Sequence, residues 1–564
     1  MNAEISGIVV LFVVTVLLAI PFGRYCARVF KNEKTWLDFL LPIEKFIFKI
    51  CGIDASKPMN WKENLRALLL LNMIFFLWAM TLLLTQQWHP FWNPDDIGNM
   101  EPTTAFNTAV SFMTNTNLQH YSGETGATYF TQLIVFCFLQ FVSAATGIAA
   151  MVSLFRAIVQ RQGTDIGNFY HFFLRSCTRI LLPVSVLVAI FLVVRGMPST
   201  FEGAAEVVTL QGDTVKVAQG PVAPMVTIKQ LGTNGGGYFG PNATHPFENP
   251  DYLTNLVENF AILFIPIALV FAFGYYIQRP RIGYAFFAAM TIVFLAFVAV
   301  TIHFERLGNT RIAALGVDNT LGSMEGKEVR IGSVASAFWG VSTTSTSSGS
   351  VNSMHDSQTP ISGGIYMLDM MVNAIYGGVG VGFINFFVFV IIAVFIAGLM
   401  VGRTPELFGK KIEAREVKIA ALVAILHPFL ILVGTAIASH IHSRHSDIGW
   451  LANPGYHGFS EMLYEFTSSA ANNGSGFEGL GDATPFWNIL CALCMMFGRF
   501  VPIIGPLAIA GSLASKKYVP ESSGTLRVES PAFVAVLLSV IIIIAALSFF
   551  PALALGPLAE YLSR

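Results

Sequence analysis

The sequence predicts an all-α polytopic membrane protein of ten transmembrane helices, eight of them in four pseudo-symmetric helix/loop/helix repeats and two flanking. Three observations carry this. Hydrophobic residues make up 54% of the 564 residues and charged residues 12%, with a mean hydropathy of +0.62, so much of the chain must face lipid. Ten apolar segments are long enough to cross a hydrocarbon layer of about 30 Å, which takes about 20 helical residues. Four short polar stretches recur between them: Thr114–Asn117, Gly232–Gly237, Ser345–Gly349 and Ala470–Gly474. Counted from Asn117, Gly235, Gly349 and Gly474, they lie 118, 114 and 125 residues apart.

The apolar segments are 4–25, 65–86, 128–157, 175–195, 254–277, 282–303, 366–401, 418–439, 486–513 and 531–555. The first lacks a basic leader and a small-residue cleavage site, so it reads as a retained span. Basic residues set the orientation. Arg24, Arg28, Lys31 and Lys34 follow span 1, Arg156 and Arg161 follow span 3, and Arg279 and Arg281 follow span 5. Arg403, Lys410, Lys411 and Arg415 follow span 7, and Lys516, Lys517 and Arg527 follow span 9. Every other loop is basic, which puts those loops inside and both termini outside. The net charge of −1 gives no electrostatic case for a nucleic-acid partner. The six cysteines are scattered, and Cys491-Ala-Leu-Cys494, inside an apolar helix without partner histidines, reads as packing.

All four polar stretches fall in the outer loops. Before each comes an apolar run too short to span: Thr104–Met113, Pro224–Leu231, Val334–Thr344 and Phe459–Ser469. Each reads as a re-entrant half-helix whose C-terminal, negative end points at the polar stretch, which favours a cation there. Non-helical backbone at membrane depth is tolerated where it lines a watery cavity, and four such breaks can share one. Small polar residues and glycine suit a narrow path lined by backbone carbonyls. Gly235, Gly349 and Gly474 supply the left-handed dihedrals such a path needs, and Asn117 stands in for the fourth glycine. The repeats are therefore helix/pore-loop/helix units. The division is 1–60 for the first span and an inner amphipathic segment, 61–160, 170–280, 281–405 and 416–515 for the four repeats, and 528–564 for the last span.

Several motifs together carry a resemblance over nearly the whole chain. Thr114-Asn-Thr-Asn117 with Tyr121-Ser-Gly-Glu124, Gly232-Thr-Asn-Gly-Gly-Gly237 with His245-Pro-Phe-Glu-Asn249, Met354-His-Asp356, Gly402-Arg-Thr-Pro-Glu406 and Ser469-Ala-Ala-Asn-Asn-Gly474 closely resemble the A subunits of bacterial Kdp potassium pumps. The resemblance implies a K⁺-selective binding and translocation subunit of a high-affinity uptake complex in the bacterial inner membrane. Energy would come from a P-type ATPase catalytic subunit (KdpB-like), with small accessory subunits (KdpC-like and KdpF-like) and membrane lipid as further partners. It implies a filter of Asn115, Thr116 and Asn117; Thr233, Asn234 and Gly235; Ser347, Ser348 and Gly349; and Asn472, Asn473 and Gly474. K⁺ is the ligand and transported ion, with no tightly bound cofactor and no catalytic residue. Some relatives have cysteine where Ser348 stands, a near-isosteric change that leaves the carbonyl in place. The chain has neither an Asp-Lys-Thr-Gly phosphorylation sequence nor a phosphate-binding glycine loop, so ATP hydrolysis falls to the partner.

Two features suit coupling to that partner. Gly377, Gly378, Gly380 and Gly382 crowd span 7, where each glycine weakens a helix by about 1 kcal/mol and invites a break, read as a gate or hinge, with close helix packing as the alternative. Arg499 is a charge inside span 9, expected to meet carbonyls or a carboxylate near the filter exit or to repel a second cation, with a purely structural ion pair as the alternative. Glu101, Glu124, Glu248 and Glu258 near the outer mouths read as helix-start residues or loop anchors, or as attractors of K⁺. His355-Asp356 and His245 with Glu248 read as structural hydrogen-bonding pairs. Trp36–Ile50 reads as an amphipathic segment on the inner leaflet. The Arg403–Lys418 and Lys516–Arg527 loops are expected to meet the partner. Two other classes fit less of the pattern: a stand-alone K⁺ channel or cation symporter on the same plan, and a serine hydrolase using Ser348 with His355.

Overall fold

The computed structural model describes residues 3–402, 404–519 and 527–563. Among them ten helices are long and apolar enough to cross a membrane: Glu4–Phe30, Trp61–Trp88, Thr131–Val159, Phe169–Val194, Tyr252–Tyr276, Pro280–Ala314, Val381–Met400, Ala414–Arg444, Pro485–Ser515 and Pro531–Leu562, here spans 1 to 10. Their starts follow local chemistry. Asn60 accepts from the backbone N–H of Lys62 and Glu63 while Glu63 reaches back to the Asn60 N–H, and Asp251 and Thr254 repeat the device at span 5. Span 5 is 83% buried over its most apolar stretch and packs most extensively against span 1, which is only 17% buried. Span 5 is thus a core element, and span 1 shields it from lipid.

Four shorter helices sit between spans without crossing: Pro102–Met113, Val222–Leu231, Ser333–Ser345 and Tyr456–Ala471, here half-helices 1 to 4. Each packs against the helices that flank it in sequence. They are almost wholly buried, in keeping with short helices held at membrane depth by protein rather than lipid.

The segment at 366–401 is not one helix. It divides into Pro360–Val372 and Val381–Val401, with Asn373, Tyr376, Gly377 and Gly380 in left-handed dihedrals between them. Gly377 and Gly382 press backbone to backbone, and Gly380 presses on Gly147 of span 3, so any Cβ at these three positions would collide with main chain. Close packing and the break are one feature here.

Between spans 1 and 2, Trp36–Leu40 and Leu41–Ile50 form a short 3₁₀ turn and a helix with Trp36, Phe39, Ile43, Phe46 and Ile50 exposed. Glu44 on its underside is buried against Arg179, with Nε 2.6 Å from Oε1 and Nη2 2.8 Å from Oε2. Lys410 folds inward: its ammonium donates to the carbonyls of Gln160 at 2.5 Å and Leu513 at 2.6 Å. Burial, with Lys516 nearby, lowers its pKa to about 8. Lys516 pairs with Glu413 and Glu416 at 3.0 and 2.7 Å. The two basic loops therefore bind each other and the span ends, and the basic residues they still expose among the described ones are Lys411, Arg415, Lys418, Lys517 and Arg527. Arg403 and residues 520–526 lie outside the described residues. An antiparallel hairpin, Ala205–Val208 with Thr214–Val217, occupies the loop before half-helix 2.

Candidate functional site

The four half-helices end alike. Backbone N–H groups of Thr116, Asn234, Ser348 and Asn473 each donate, at 2.9 Å, to the carbonyl five residues back: Ser111, Lys229, Thr343 and Ser468. This is the six-residue closure of a Schellman cap, whose penultimate residue must be left-handed. Asn115, Thr233, Ser347 and Asn472 hold that place, at φ of 62°, 45°, 49° and 54°. Two residues on, Asn117, Gly235, Gly349 and Gly474 are left-handed again, at 54°, 83°, 85° and 100°. Alternating handedness turns successive carbonyls toward the same side of the strand, the requirement for a row of oxygen ligands.

The four ends also touch in a closed cycle. A Cβ on Gly235 would collide with the carbonyl oxygen of Ser348, one on Gly349 with that of Asn473, and one on Gly474 with that of Thr116. The remaining side is closed by Asn115, whose amide donates to the carbonyls of Gly232 at 3.2 Å and Thr233 at 2.9 Å. The four stretches thus meet around one centre in chain order. Left-handed dihedrals and neighbouring carbonyls each demand glycine at the three positions. Asn117 bears the same dihedral with a side chain, buried and with both amide atoms unpartnered among the described residues, so the ring is not strictly four-fold.

Side chains of the ring bond to one another, to neighbouring backbone and to the broken span. Asn234 Nδ2 donates to Asn115 Oδ1 at 2.6 Å, Asn472 Nδ2 to Thr116 Oγ1 at 2.9 Å, and Asn473 Nδ2 to the Thr343 carbonyl at 2.9 Å. Ser347 Oγ donates to Asn373 Oδ1 at 3.1 Å.

A family profile described as potassium-transporting ATPase A subunit matches residues 9–562. The chain belongs to this family. It is 56% identical to a relative from Flavobacterium psychrophilum, over all of this chain and 99% of the relative. It is also 56% identical to one from Bacteroides fragilis over the full length of both, and 46% identical to one from Geobacillus kaustophilus over 99% of each. All three relatives are described as the potassium-binding subunit of a potassium-transporting ATPase.

Behind the ring lie supports of which the sequence singled out only Glu248, as a loop anchor or an attractor of K⁺. Lys229 and Glu248, both fully buried, form an ion pair. Lys229 also donates to Asn242 Oδ1 at 2.8 Å, and Asn242 Nδ2 donates to the Gly235 carbonyl at 2.6 Å. Glu248 further accepts the Phe239 N–H at 2.8 Å. With Asn115–Asn117, Thr233–Gly235, Ser347–Gly349 and Asn472–Gly474 numbered loops 1 to 4, loop 3 is backed by Asp369, whose Oδ2 accepts from Thr344 at 2.8 Å and Ser345 at 2.6 Å. For the first chain the sequence offered two signals, Glu248 near the loop's mouth and a lysine in an apolar half-helix.

The other singled-out residues find definite places. Glu101 caps half-helix 1 through the Thr104 N–H at 2.7 Å, and Glu124 accepts the Gly240 N–H at 2.7 Å, so both are anchors. Glu258 is buried on the Gln230 amide at 2.7 Å. His355 Nδ1 lies 2.8 Å from the Tyr464 hydroxyl, and Ser348 Oγ has no hydrogen-bond partner among the described residues, so the hydrolase pairing is not built. Arg499 is buried and donates to the Ser143 carbonyl at 3.2 Å, without a carboxylate partner among the described residues. Gly378 of the broken span lies against the ring's underside and the Arg499 guanidinium. Cys491, read from sequence as lacking histidine neighbours, lies beside His120 and Glu465 because the loop after Asn117 folds over span 9. Burial works against charging His120, but Asp482 and Glu465 outweigh it and push its pKa up to about 9.

Proposed function

We propose that this chain takes up K⁺ from the outer side, holds it dehydrated on main-chain oxygens of Asn115–Asn117, Thr233–Gly235, Ser347–Gly349 and Asn472–Gly474, and passes it to a P-type ATPase partner. The observation that carries the reading is the closed cycle of four ends with one dihedral pattern. Carbonyls supplied by four half-helix C-termini replace the ion's water, and the helix dipoles add negative potential at the site. The relatives' description as potassium-binding subunits favours K⁺ as the ion and an ATPase as the partner.

In this reading the four helix/pore-loop/helix units are the functional repeats, and both termini lie outside. The break at Asn373–Gly380 is a gate or hinge directly below the ring. Arg499 beneath it keeps a second cation from lodging at the exit. Lys411, Arg415, Lys418, Lys517 and Arg527 remain the inner residues offered to the partner.

The test is Gly235→Ser in the complex purified with its ATPase subunit, read as K⁺ activation of ATP hydrolysis. The half-activating K⁺ concentration rises more than about tenfold, which is about 1.4 kcal/mol. An unchanged value overturns the reading. K⁺ flux through the chain alone in liposomes, with no ATPase co-purifying, would instead favour a channel.

A further inference from the structure

Outside the ring, where the segment after loop 3 meets half-helix 4, stands a side-chain cluster that the ion path does not use. His457 and Glu461 are four residues apart on half-helix 4 and so share a face. Asp356 comes to them from the segment that follows Gly349. One ligand atom from each lies within 4.8 Å of the other two. His457 Nε2 is 2.9 Å from Asp356 Oδ1, and its Nδ1 is 3.0 Å from Glu560 Oε2.

Glu461 marks the place as more than a surface of charges. It is fully buried, and its Oε1 accepts from Asn453 Nδ2 at 2.9 Å. Its Oε2 is buried with no hydrogen-bond partner among the described residues. A carboxylate oxygen out of water and without a donor is unfavourable unless a proton or a cation meets it. Gly479 closes the back of the cluster, where a Cβ would press on both Glu461 Oε1 and Asp356 Oδ2. The front opens on a cavity of about 520 Å³ with Glu325, Asp356, His457 and Glu560 in its wall.

We propose that Asp356, His457 and Glu461 bind one first-row divalent cation of the Zn²⁺ class, with Glu560 orienting the imidazole. One ring nitrogen with two carboxylates is a mixed set that suits Zn²⁺, and three protein ligands leave a fourth position for water. Ca²⁺ and Mg²⁺ take oxygen ligands and fit a set containing a histidine less well. An Nδ1–H given to Glu560 fixes the tautomer that offers Nε2 to the metal, as carboxylates do behind ligating histidines. The cation takes the place of a proton. Binding therefore releases protons. The bound ion ties the segment after loop 3 to the half-helix that carries Asn472–Gly474, and so joins two sides of the ring's outer rim.

The full chain, purified with its co-purifying subunits and stripped with chelator, is titrated with Co²⁺ by visible absorption and with Zn²⁺ by calorimetry. Counted as the difference between the unaltered protein and Asp356→Asn, one ion binds per chain, Zn²⁺ displaces Co²⁺, and the thermal midpoint rises on binding. Glu461→Gln abolishes that ion, and Glu560→Gln weakens it by about 10–100-fold. Glu560→Gln leaves K⁺-stimulated ATP hydrolysis of the stripped complex unchanged, so failure here is distinct from failure of the filter reading. Cys491→Ser binds normally. Titrations indistinguishable among the unaltered protein, Asp356→Asn and Glu560→Gln overturn the proposal. So does a sulfur-to-cobalt band lost in Cys491→Ser, which would put the ion at His120, Glu465 and Cys491. Should Glu461→Gln fail to fold, Asp356→Asn and Glu560→Gln decide the matter.

Discussion

Loops 2 and 3 have nearly the same backbone and opposite kinds of support. Loop 2 rests on a buried ionic chain, Glu248 to Lys229 to Asn242 to the Gly235 carbonyl. Loop 3 rests on Asp369, held by two hydroxyls, and on the broken span, where the Gly377 N–H donates to the Ser345 carbonyl at 2.8 Å. Backbone symmetry therefore does not require symmetric bracing. The comparison teaches that one wall of the ring is fixed and its neighbour is tied to an element with weak helical structure.

Breaking the fixed wall gives the largest effect. Lys229→Met leaves Glu248 buried and unpaired, and the complex loses about 3–5 kcal/mol in unfolding measurements. The double variant Lys229→Met/Glu248→Gln recovers part of that loss, since no lone charge remains. Equal losses in single and double variants would show that the pair braces nothing.

The second wall should respond differently. Gly380→Ala puts a methyl against the Gly147 backbone in a left-handed dihedral, at about 1–3 kcal/mol. Turnover of K⁺-driven ATP hydrolysis falls, while half-activating K⁺ moves by less than about threefold, or ~0.7 kcal/mol. A shift confined to K⁺ affinity would place the break in the filter rather than below it.

The spans were legible because length and hydropathy suffice in lipid, and the half-helix bounds shift by at most three residues from the sequence reading. Gly235, Gly349, Gly474 and Asn117 were legible as one set because a left-handed dihedral restricts residue type. The bracing partners, Glu248 apart, were not. Asp369 acts on loop 3 across 24 and 25 residues, and Ser350 Oγ reaches Asn242 across 108, separations at which no local pattern signals contact. The division of span 7 was visible as excess glycine, but its extent depends on Gly147 and Gly382 pressing against it.

A smaller effect sharpens the comparison at the seam of loops 1 and 4. His120 has a folded pKa near 9 against an ordinary 6.5, raised by Asp482 and Glu465. A raised pKa means its stabilisation is fully present below pH 6.5 and fades as pH climbs through 9. The thermal midpoint therefore falls over that window, and His120→Gln flattens the slope. An identical slope in the variant would remove His120 from the account. Smallest of all is Ser348→Cys: its hydroxyl has no partner and its carbonyl is unchanged, so half-activating K⁺ moves by less than about threefold, again ~0.7 kcal/mol.

The central claim is met most directly by anomalous diffraction from crystals of the complex soaked in Tl⁺, a heavy mimic of K⁺. The account predicts a peak at the centre of the ring, within coordination distance of main-chain oxygens from all four loops and lost in Gly235→Asp. Peaks only elsewhere, or a central peak that survives that substitution, would contradict it.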